Sequence, residues 1–320
     1  MGTKKKKGGV PFSQDTENTA VLVTGGSGFI GKSFVKLLAE KEHTVVSMYR
    51  HKLPEPMPNV YPVCSDLESV DLLKAPLRGV KTVVYLAWEG NYDNRDALVA
   101  EGCFTNNIRR LKNMITAMES VGTARMIFVS ANGACRLATA PFLKEKYYAE
   151  TMIINSKITE KLIIRPTVVS DGTREDDRFV NSIINITKYP GIYPIPFVSG
   201  ELSPLCLSDL CRLLQNSINM TLAHPVGIME IIGQESYRIE DIFKMVCHKY
   251  TKGAKFQIRG AIGNSLVRIF ERRDSKANIR KPTIRHFISL GHTEDKTVSQ
   301  CNELSAALPR KMKSFKEALG

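Results

Sequence analysis

The chain has 320 residues, 43% of them hydrophobic, a length that suits one large domain or two closely joined domains with a full-sized core. The sequence contains no apolar run of about eighteen residues or more, which excludes a membrane-spanning helix. The formal net charge of +13 would attract polyanions such as nucleic acid, anionic lipid or cofactor phosphates. Because zinc-finger spacing, RNP-like aromatic motifs and repeats are missing from the sequence, nucleic acid ranks last among these partners.

Cysteine usage and the amino terminus bound the compartment. Seven cysteines are scattered without a C-x-x-C pair, so we predict neither a disulfide framework nor a metal site. The same pattern predicts a reducing compartment. Residues 1–19 contain the run "KKKKGG" and are predicted to form a flexible basic arm; a weak targeting signal or a remnant of a fusion is the alternative. This segment lacks the apolar region of a secretory signal, and Lys6 breaks the myristoylation pattern.

The first half of the chain alternates short apolar strands with helical patterns, which predicts a doubly wound parallel α/β sheet of the Rossmann type over residues 20–170. In chain order we expect a strand at 21–24, a helix at 29–42 and a strand at 44–49, followed by a proline-rich loop at 53–62 and a helix from 66 through 73. A strand at 82–88 then leads into a long helix with Ile108, Leu111, Ile115 and Met118 on one stripe. The alternation ends with a strand at 125–131, a helix around 144–155 and a strand at 161–166.

The rhythm changes after residue 170. We predict that residues 171–320 form a smaller, mixed α/β region that docks a substrate or a partner, with helices at 176–186, 209–220 and 236–250 and an irregular loop at 188–197. An apolar run at 227–233 is predicted to be a strand, and its section near 228–232 is a candidate to join the Rossmann sheet. Residues 249–285 are strongly basic, which fits either a solvated face or a surface for an acidic partner or phospholipid.

A glycine-rich turn follows the first predicted strand directly. Gly25, Gly28 and Gly31 give the spacing G-x-x-G-x-x-G between a strand and a helix. The first glycine permits a tight turn, the second lets the backbone approach a pyrophosphate, and the third lets the helix pack on the sheet. With Ser27, Phe29 and Ile30, this turn is predicted to bind a dinucleotide.

The end of the second strand distinguishes the two nicotinamide dinucleotides. An acidic residue there would bind the ribose hydroxyls of NAD, whereas this sequence has Arg50, which suits the 2′-phosphate of NADP(H). The alternative interpretation is a surface arginine near a loop. Asp66 and Leu67 are predicted to lie near the adenine, and Leu86 and Ala87 to allow close cofactor approach.

Several segments together resemble the extended and atypical short-chain dehydrogenase/reductase superfamily, which includes NAD-dependent epimerases and dehydratases. They are "TGGSGFIG", "CSDLES", "VVYLAW", "FVSANGA", "FLKEK" with Glu150 after it, and "IIRPTVVSDG". A narrower resemblance, to the NADPH-binding accessory subunit family of mitochondrial complex I, rests on "KKKKGG", "YR", "REDDRFVNS" and "VRIFER" in that order. The amino-terminal sequence differs from what mitochondrial import would require, since it does not resemble an Arg- and Ser-rich transit peptide.

The superfamily resemblance implies a reaction centre that this sequence alters. Relatives carry a tyrosine that transfers a proton and, four residues later, a lysine that lowers the tyrosine pKa and binds the nicotinamide ribose. Here Phe142 replaces the tyrosine and Lys146 is retained. Asn132 stands where the superfamily has a hydroxyl residue, and Ser130 and Pro166 are further expected cofactor contacts.

Other side chains near Lys146 are weaker candidates for catalysis. Tyr147 and Tyr148 are rotated by roughly 100° and 200° from Lys146 on a helix, so neither replaces Phe142 directly. Cys135 and Lys144 are weaker still, and we assign no catalytic residue.

The narrower resemblance implies a protein that holds NADP(H) with little or no turnover, as an accessory subunit on the matrix side of the mitochondrial inner membrane. Its expected partners are subunits of a large membrane-associated complex, with acidic phospholipid contacted through 249–285. The alternatives are an active NADP-dependent reductase or nucleotide-sugar epimerase or dehydratase, in the mitochondrion or the cytoplasm, and a redox sensor that binds a partner only when NADPH is present.

Overall fold

A computed structural model describes residues 20–89, 97–138, 140–187, 192–194, 201–251, 256–258, 307–309 and 311–320, with isolated positions 262, 263, 265, 266 and 269. A central sheet of seven strands lies within these residues: β1 (Ala20–Thr24), β2 (Val45–Tyr49), β3 (Val60–Cys64), β4 (Val80–Tyr85), β5 (Arg125–Val129), β6 (Glu160–Pro166) and β11 (Val226–Ile231). Its order is β11-β6-β5-β4-β1-β2-β3, and every pairing in it is parallel. The predicted Rossmann-type α/β fold is confirmed.

Helices cover both faces of this sheet. One face carries α1 (Phe29–Glu40) and α6 (Leu207–Ile218); the other carries α2 (Val70–Leu77), α3 (Ala97–Val121) and α4 (Pro141–Ile154). Side chains of β1 show why both faces are covered: Val21 and Val23 belong to the first core, whereas Ala20 and Leu22 belong to the second. A strand buried on both faces reads as a continuous apolar run, which is the pattern of this segment.

A third apolar core lies in the second half of the chain. It is built from α5 (Arg178–Thr187), α7 (Ile239–Tyr250) and the last helix, α8 (Phe315–Leu319). Short paired strands border it: β7 (Val169–Ser170) with β10 (Leu205–Cys206), β9 (Glu201–Leu202) with β12 (Tyr237–Arg238), and β8 (Ile192–Pro194) with β13 (Phe256–Ile258). The predicted division near residue 170 stays a prediction, and α6 and β11 from the second half lie in the layers of the main sheet.

The sequence predicts a loop over residues 53–62, but strand β3 begins inside it at Val60. Pro62 lies inside this strand and pairs with Ser47 of β2. The strand is at the edge of the sheet, where a proline removes no required ladder hydrogen bond, so the proline signal was misleading. Likewise, β8 lies within residues 188–197, which the sequence analysis predicted to be irregular throughout.

Five helix starts differ from prediction. Helices α4, α6 and α7 begin two or three residues from the predicted starts, at Pro141, Leu207 and Ile239. For α2 and α5 the structure shows the reason. Helix α2 begins at Val70 and not at Asp66, because Leu67 has a left-handed φ of 63° and the Asp66 carboxylate accepts a hydrogen bond from the Glu68 amide at 3.0 Å. That is a side-chain turn, which competes with helix formation. Helix α5 begins at Arg178, with the Asp177 carboxylate accepting from the amides of Phe179 and Val180 as its cap. Within the described part of the chain, no helix combines the length and apolar character needed to cross a membrane.

Candidate nucleotide-binding site

The glycine-rich turn joins β1 to α1 at the carboxyl edge of the sheet. Gly25 has a φ of +68°, a conformation that glycine adopts without strain, and a Cβ there would lie 3.0 Å from the Ala87 amide nitrogen. A Cβ on Gly31 would lie 2.1 Å from the Gly25 carbonyl oxygen. The buried Thr24 hydroxyl fixes the neighbouring loop, because it accepts from the amides of Leu86 and Ala87 at 3.0 Å each.

A cavity of about 190 Å³ opens beside this turn. Eight predicted cofactor-binding residues line it: Gly25, Ser27, Gly28, Arg50, Asp66, Leu67, Leu86 and Ala87. The turn's open backbone, which an added Cβ would obstruct, fits the approach of a pyrophosphate. The cavity lies at the carboxyl ends of β1, β2 and β4, where doubly wound sheets bind their ligands.

Charged side chains extend across the cavity from β2 to α3. The Arg50 guanidinium pairs with the Glu89 carboxylate, which also pairs with Arg110 at 2.7 Å. Glu68 in turn bridges Arg110 and Arg109 at 2.8 Å each. Arg50 therefore lies in the cavity as predicted, but its guanidinium is paired with the carboxylate of Glu89, which was not among the predicted site residues.

Lys146 lies beside this cavity in a buried setting. Its ammonium group donates to the Val129 carbonyl oxygen at 2.9 Å and lies 3.8 Å from the centre of the Trp88 ring. The Phe142 ring centre is 5.7 Å from the same nitrogen. With 4% of the residue exposed, the lysine is covered by aromatic rings, and the cation–π contact with Trp88 favours that position.

Glu145 is a second buried titratable group in the same cluster. Its carboxylate accepts from the Trp88 indole at 3.1 Å and from the Asn107 amide at 3.2 Å. Burial raises the pKa of Glu145 to about 8, although the charge of Lys146 opposes the shift. Burial also lowers the pKa of Lys146 to about 7, against the opposing charges of Glu145 and Glu150.

The two predicted polar positions on β5 and its loop are buried. The Ser130 hydroxyl bonds to the Glu150 carboxylate, which also accepts from Arg165 at 2.6 Å. The backbone N–H of Asn132 donates to the Pro166 carbonyl oxygen at 2.9 Å. The side-chain Oδ1 of Asn132 has no hydrogen-bond partner among the described residues. Ser130 thus supports an ion pair between the buried Glu150 and the partly buried Arg165.

Several predicted residues lie away from the cavity lining. Phe29 and Ile30 pack against the core under α1, and Gly31 serves the contact between turn and helix. Ser130, Lys146 and Pro166 also lie outside the lining, so their cofactor roles stay predictions. Tyr148 and Tyr147 stack edge to face with ring centres 6.0 Å apart, and Cys135 and Lys144 are exposed.

The profile of the family described as NAD(P)H-binding matches residues 25–187, which is more than half of the chain. The chain belongs to the NAD(P)H-binding family. The match contains the glycine-rich turn, the cavity and Lys146. Among the described residues, no group of three or more His, Cys, Asp or Glu side chains could hold a metal ion.

Sequence relatives match this NAD(P)H-binding chain over part of its length. A 3-beta-hydroxysteroid dehydrogenase of Mycolicibacterium neoaurum is 29% identical over 121 residues, which are 37% of this chain and only 33% of the relative. A UDP-glucose 4-epimerase of Vibrio cholerae is 28% identical over 235 residues, 66% of this chain and 69% of the relative.

Solved structures share the fold. The enzyme WbmH of Bordetella bronchiseptica, in complex with NAD⁺, has a TM-score of 0.66 at 12% identity, covering 94% of this chain and 96% of its own. A UDP-glucose 4-epimerase of Thermotoga maritima with UDP-glucose has a TM-score of 0.60 at 16% identity, covering 77% and 87%. These likenesses confirm the predicted Rossmann-type α/β fold.

The buried pair Glu145–Lys146 should leave a signature in the pH dependence of stability. The raised pKa of Glu145, ordinarily 4.5, means that the folded state holds a proton that the unfolded state releases above that value. The free energy of unfolding should therefore fall between about pH 5 and 7, by up to ~1.4 kcal/mol per pH unit, relative to Glu145→Gln. Urea denaturation of both proteins at pH 5.5 and 6.5 measures this slope.

The lysine gives the opposite sign at higher pH. Its pKa is lowered from 10.5 to about 7, so the unfolded state binds the extra proton between these values and stability should rise with pH. The difference between the native protein and Lys146→Met, measured at pH 8 and 9.5, isolates this contribution. Flat differences in both windows would show that the two groups stay charged when buried.

Gly31→Ala should damage both fold and site. The added methyl group would meet the Gly25 carbonyl oxygen at 2.1 Å, so the turn or the start of α1 must move. We expect a loss of about 1–3 kcal/mol in the free energy of unfolding and weaker NAD(P)H binding. Gly122→Ala is the control: Gly122 has a φ of +77° with open space around it, so this variant should lose stability but keep its NAD(P)H affinity.

Proposed function

We propose that this protein binds NADP(H) and retains it with little or no turnover. The observation that carries the proposal is the surroundings of Lys146. Phe142, one turn earlier on α4, supplies no hydroxyl, and the lysine ammonium donates to the Val129 carbonyl beneath the Trp88 ring. The proton-transfer pair implied by the superfamily is therefore incomplete.

The choice of NADP(H) over NAD(H) rests on Arg50. This residue lines the cavity at the end of β2, where a guanidinium can pair with a 2′-phosphate. Gly25, Gly28 and the start of α1 would hold the pyrophosphate. A bound nicotinamide supplies hydride chemistry, while this chain's own residues bind and orient the dinucleotide.

A retained cofactor also stabilises the fold. A ligand present at one hundred times its dissociation constant adds about 2.7 kcal/mol to the free energy of unfolding. The glycine-rich turn and the carboxyl ends of β2 and β4 all line the cavity, so a dinucleotide bound there would contact three separate segments of the chain and hold them together. Such a role requires binding but no reaction.

We further propose that the protein is an accessory subunit of mitochondrial complex I, on the matrix side of the inner membrane. The support is the resemblance of "YR", "REDDRFVNS" and "VRIFER" to that family. Its partners are then neighbouring subunits and acidic phospholipid, the latter through 249–285, most of which lies outside the described residues.

The test of this function has two measurements. Mass analysis of the ligand released from denatured protein should identify NADPH or NADP⁺, and native-gel migration of detergent-solubilised mitochondria should place the protein with a large assembly. Released NAD⁺ would contradict the cofactor choice. Migration only as a free monomer or dimer would contradict the assembly proposal.

The second candidate is an active reductase or nucleotide-sugar epimerase, favoured by the likeness to the Vibrio cholerae UDP-glucose 4-epimerase over two thirds of its length. Tyr147, Tyr148 or solvent would then supply the proton. Cofactor oxidation across carbonyl and nucleotide-sugar substrates distinguishes the two functions, because only this candidate expects rapid turnover that Lys146→Ala abolishes.

A further inference from the structure

The contact between Arg50 and Glu89 joins two loops that the sheet separates. Arg50 follows β2 and Glu89 lies beyond β4, while β1, which carries the glycine-rich turn, runs between these strands. Both residues line the same cavity. The ion pair thus links the loops on either side of the strand that leads into the phosphate turn.

Glu89 is held in this position by its backbone. Its amide donates to the Asn107 side-chain oxygen, and its carbonyl accepts from the Asn107 side-chain nitrogen, both at 2.9 Å. Asn107 is 2% exposed and lies on α3. A two-point contact to a buried side chain fixes where the carboxylate can reach.

Among the described residues, the Glu89 carboxylate has two cationic partners, Arg50 directly after β2 and Arg110 on α3. Arg110 binds Glu89 from α3 at 2.7 Å, so Glu89 keeps an ion pair if Arg50 turns away. A phosphate monoester carries about −1.5 to −2 charges at neutral pH, which repels a nearby carboxylate and attracts Arg50. A ribose 2′-hydroxyl, in contrast, can donate a hydrogen bond to a carboxylate.

We propose that Glu89 is a selectivity-determining residue of the cofactor site, which competes with the 2′-phosphate of NADP(H) for Arg50 and accepts the 2′-hydroxyl of NAD(H). This inference rests on the proposed binding of NADP(H) through Arg50. With the pair in place, the cavity measures about 190 Å³. Entry of the phosphate separates Arg50 from Glu89, and Glu89 remains on Arg110.

Glu89→Gln tests the proposal by removing the competing charge while keeping the side-chain shape. Equilibrium titrations of the 320-residue chain with NADPH and with NADH are the measurement. We expect NADPH to bind about tenfold more tightly, because freeing a charged partner is worth on the order of a tenfold change. We expect NADH to bind more weakly, because the amide oxygen of glutamine is a weaker acceptor than a carboxylate.

Glu68→Gln is the matched control. It removes the same charge from the same network, but Glu68 pairs with Arg109 and Arg110 on α3. A general gain in positive potential would tighten NADPH binding equally in both variants, and that result would overturn the proposal. The effect of Glu89→Gln should also vanish in an Arg50→Ala background, since the two residues act through one contact.

Arg50→Ala separates the failure of this inference from the failure of the proposed function. If Arg50→Ala leaves the preference for NADPH unchanged, Arg50 does not bind the phosphate and the proposed cofactor choice is wrong. If Arg50→Ala removes the preference while Glu89→Gln behaves like Glu68→Gln, the cofactor choice stands and the role of Glu89 is wrong.

Discussion

Arg50→Glu should invert the cofactor preference, weakening NADPH binding by on the order of 100-fold or more. The change removes a charge-assisted contact worth about 1.5–3 kcal/mol and adds a carboxylate that repels the 2′-phosphate. A carboxylate at the end of the second strand can instead accept the ribose hydroxyls of NADH. Binding of NADH should therefore hold steady or improve, as measured by titration with both dinucleotides.

The charge network complicates this variant, and its control takes account of that. Glutamate at position 50 would face Glu89, with Arg110 as the one remaining cation paired to Glu89 among the described residues, so part of the effect is added repulsion. Arg50→Ala loses the attraction without that repulsion and should weaken NADPH binding by about tenfold. An unchanged preference for NADPH in Arg50→Glu would show that the phosphate is bound elsewhere.

Sequence patterns predicted most of the sheet because its central strands are buried on both faces. Ala20–Thr24 and Arg125–Val129 are buried at every position, and such runs of apolar residues are recognisable without alignment. Edge strand β3 escaped because Pro62 is compatible with an unpaired edge, a fact that depends on strand order. The start of α2 escaped because Leu67 adopts a left-handed conformation, which apolar spacing does not reveal.

The candidate site was predictable where backbone geometry defines it and not where side chains from distant segments meet. Gly25 and Gly28 carry their role in their spacing, and both line the cavity. The importance of Glu89 depends on the order β4-β1-β2, which brings it to Arg50 across 39 residues of sequence. Its place directly after the apolar run "VVYLAW" was the available signal, since residues there reach the ligand edge of a parallel sheet.

The surroundings of Lys146 likewise came from folding. The sequence showed that Phe142 lacks a hydroxyl, but not that Trp88, from the loop after β4, covers the ammonium group. The lysine ammonium has three N–H donors, one of which the Val129 carbonyl accepts while the indole ring covers the group. The missing phenol and the covered amine both work against proton transfer.

Phe142→Tyr should raise turnover above that of the native protein, for which the proposed function expects none above background. A positioned general acid supplies ~10²- to 10⁴-fold, and Lys146, 5.7 Å from the ring centre, is near enough to act on a new hydroxyl. We expect a gain near the lower end, about 10²-fold, because the lysine already donates to Val129 beneath Trp88. Oxidation of NADPH across carbonyl and nucleotide-sugar substrates measures it.

The double variant Phe142→Tyr, Lys146→Met provides the control, since a gain that depends on the pair must disappear when the amine is removed. Its ligand affinity is measured alongside, so that loss of NADPH is not mistaken for loss of proton transfer. Rapid oxidation by the native protein, abolished by Lys146→Met, would contradict the proposal of a retained cofactor. It would favour the reductase or epimerase function, with Tyr147, Tyr148 or solvent in place of the missing phenol.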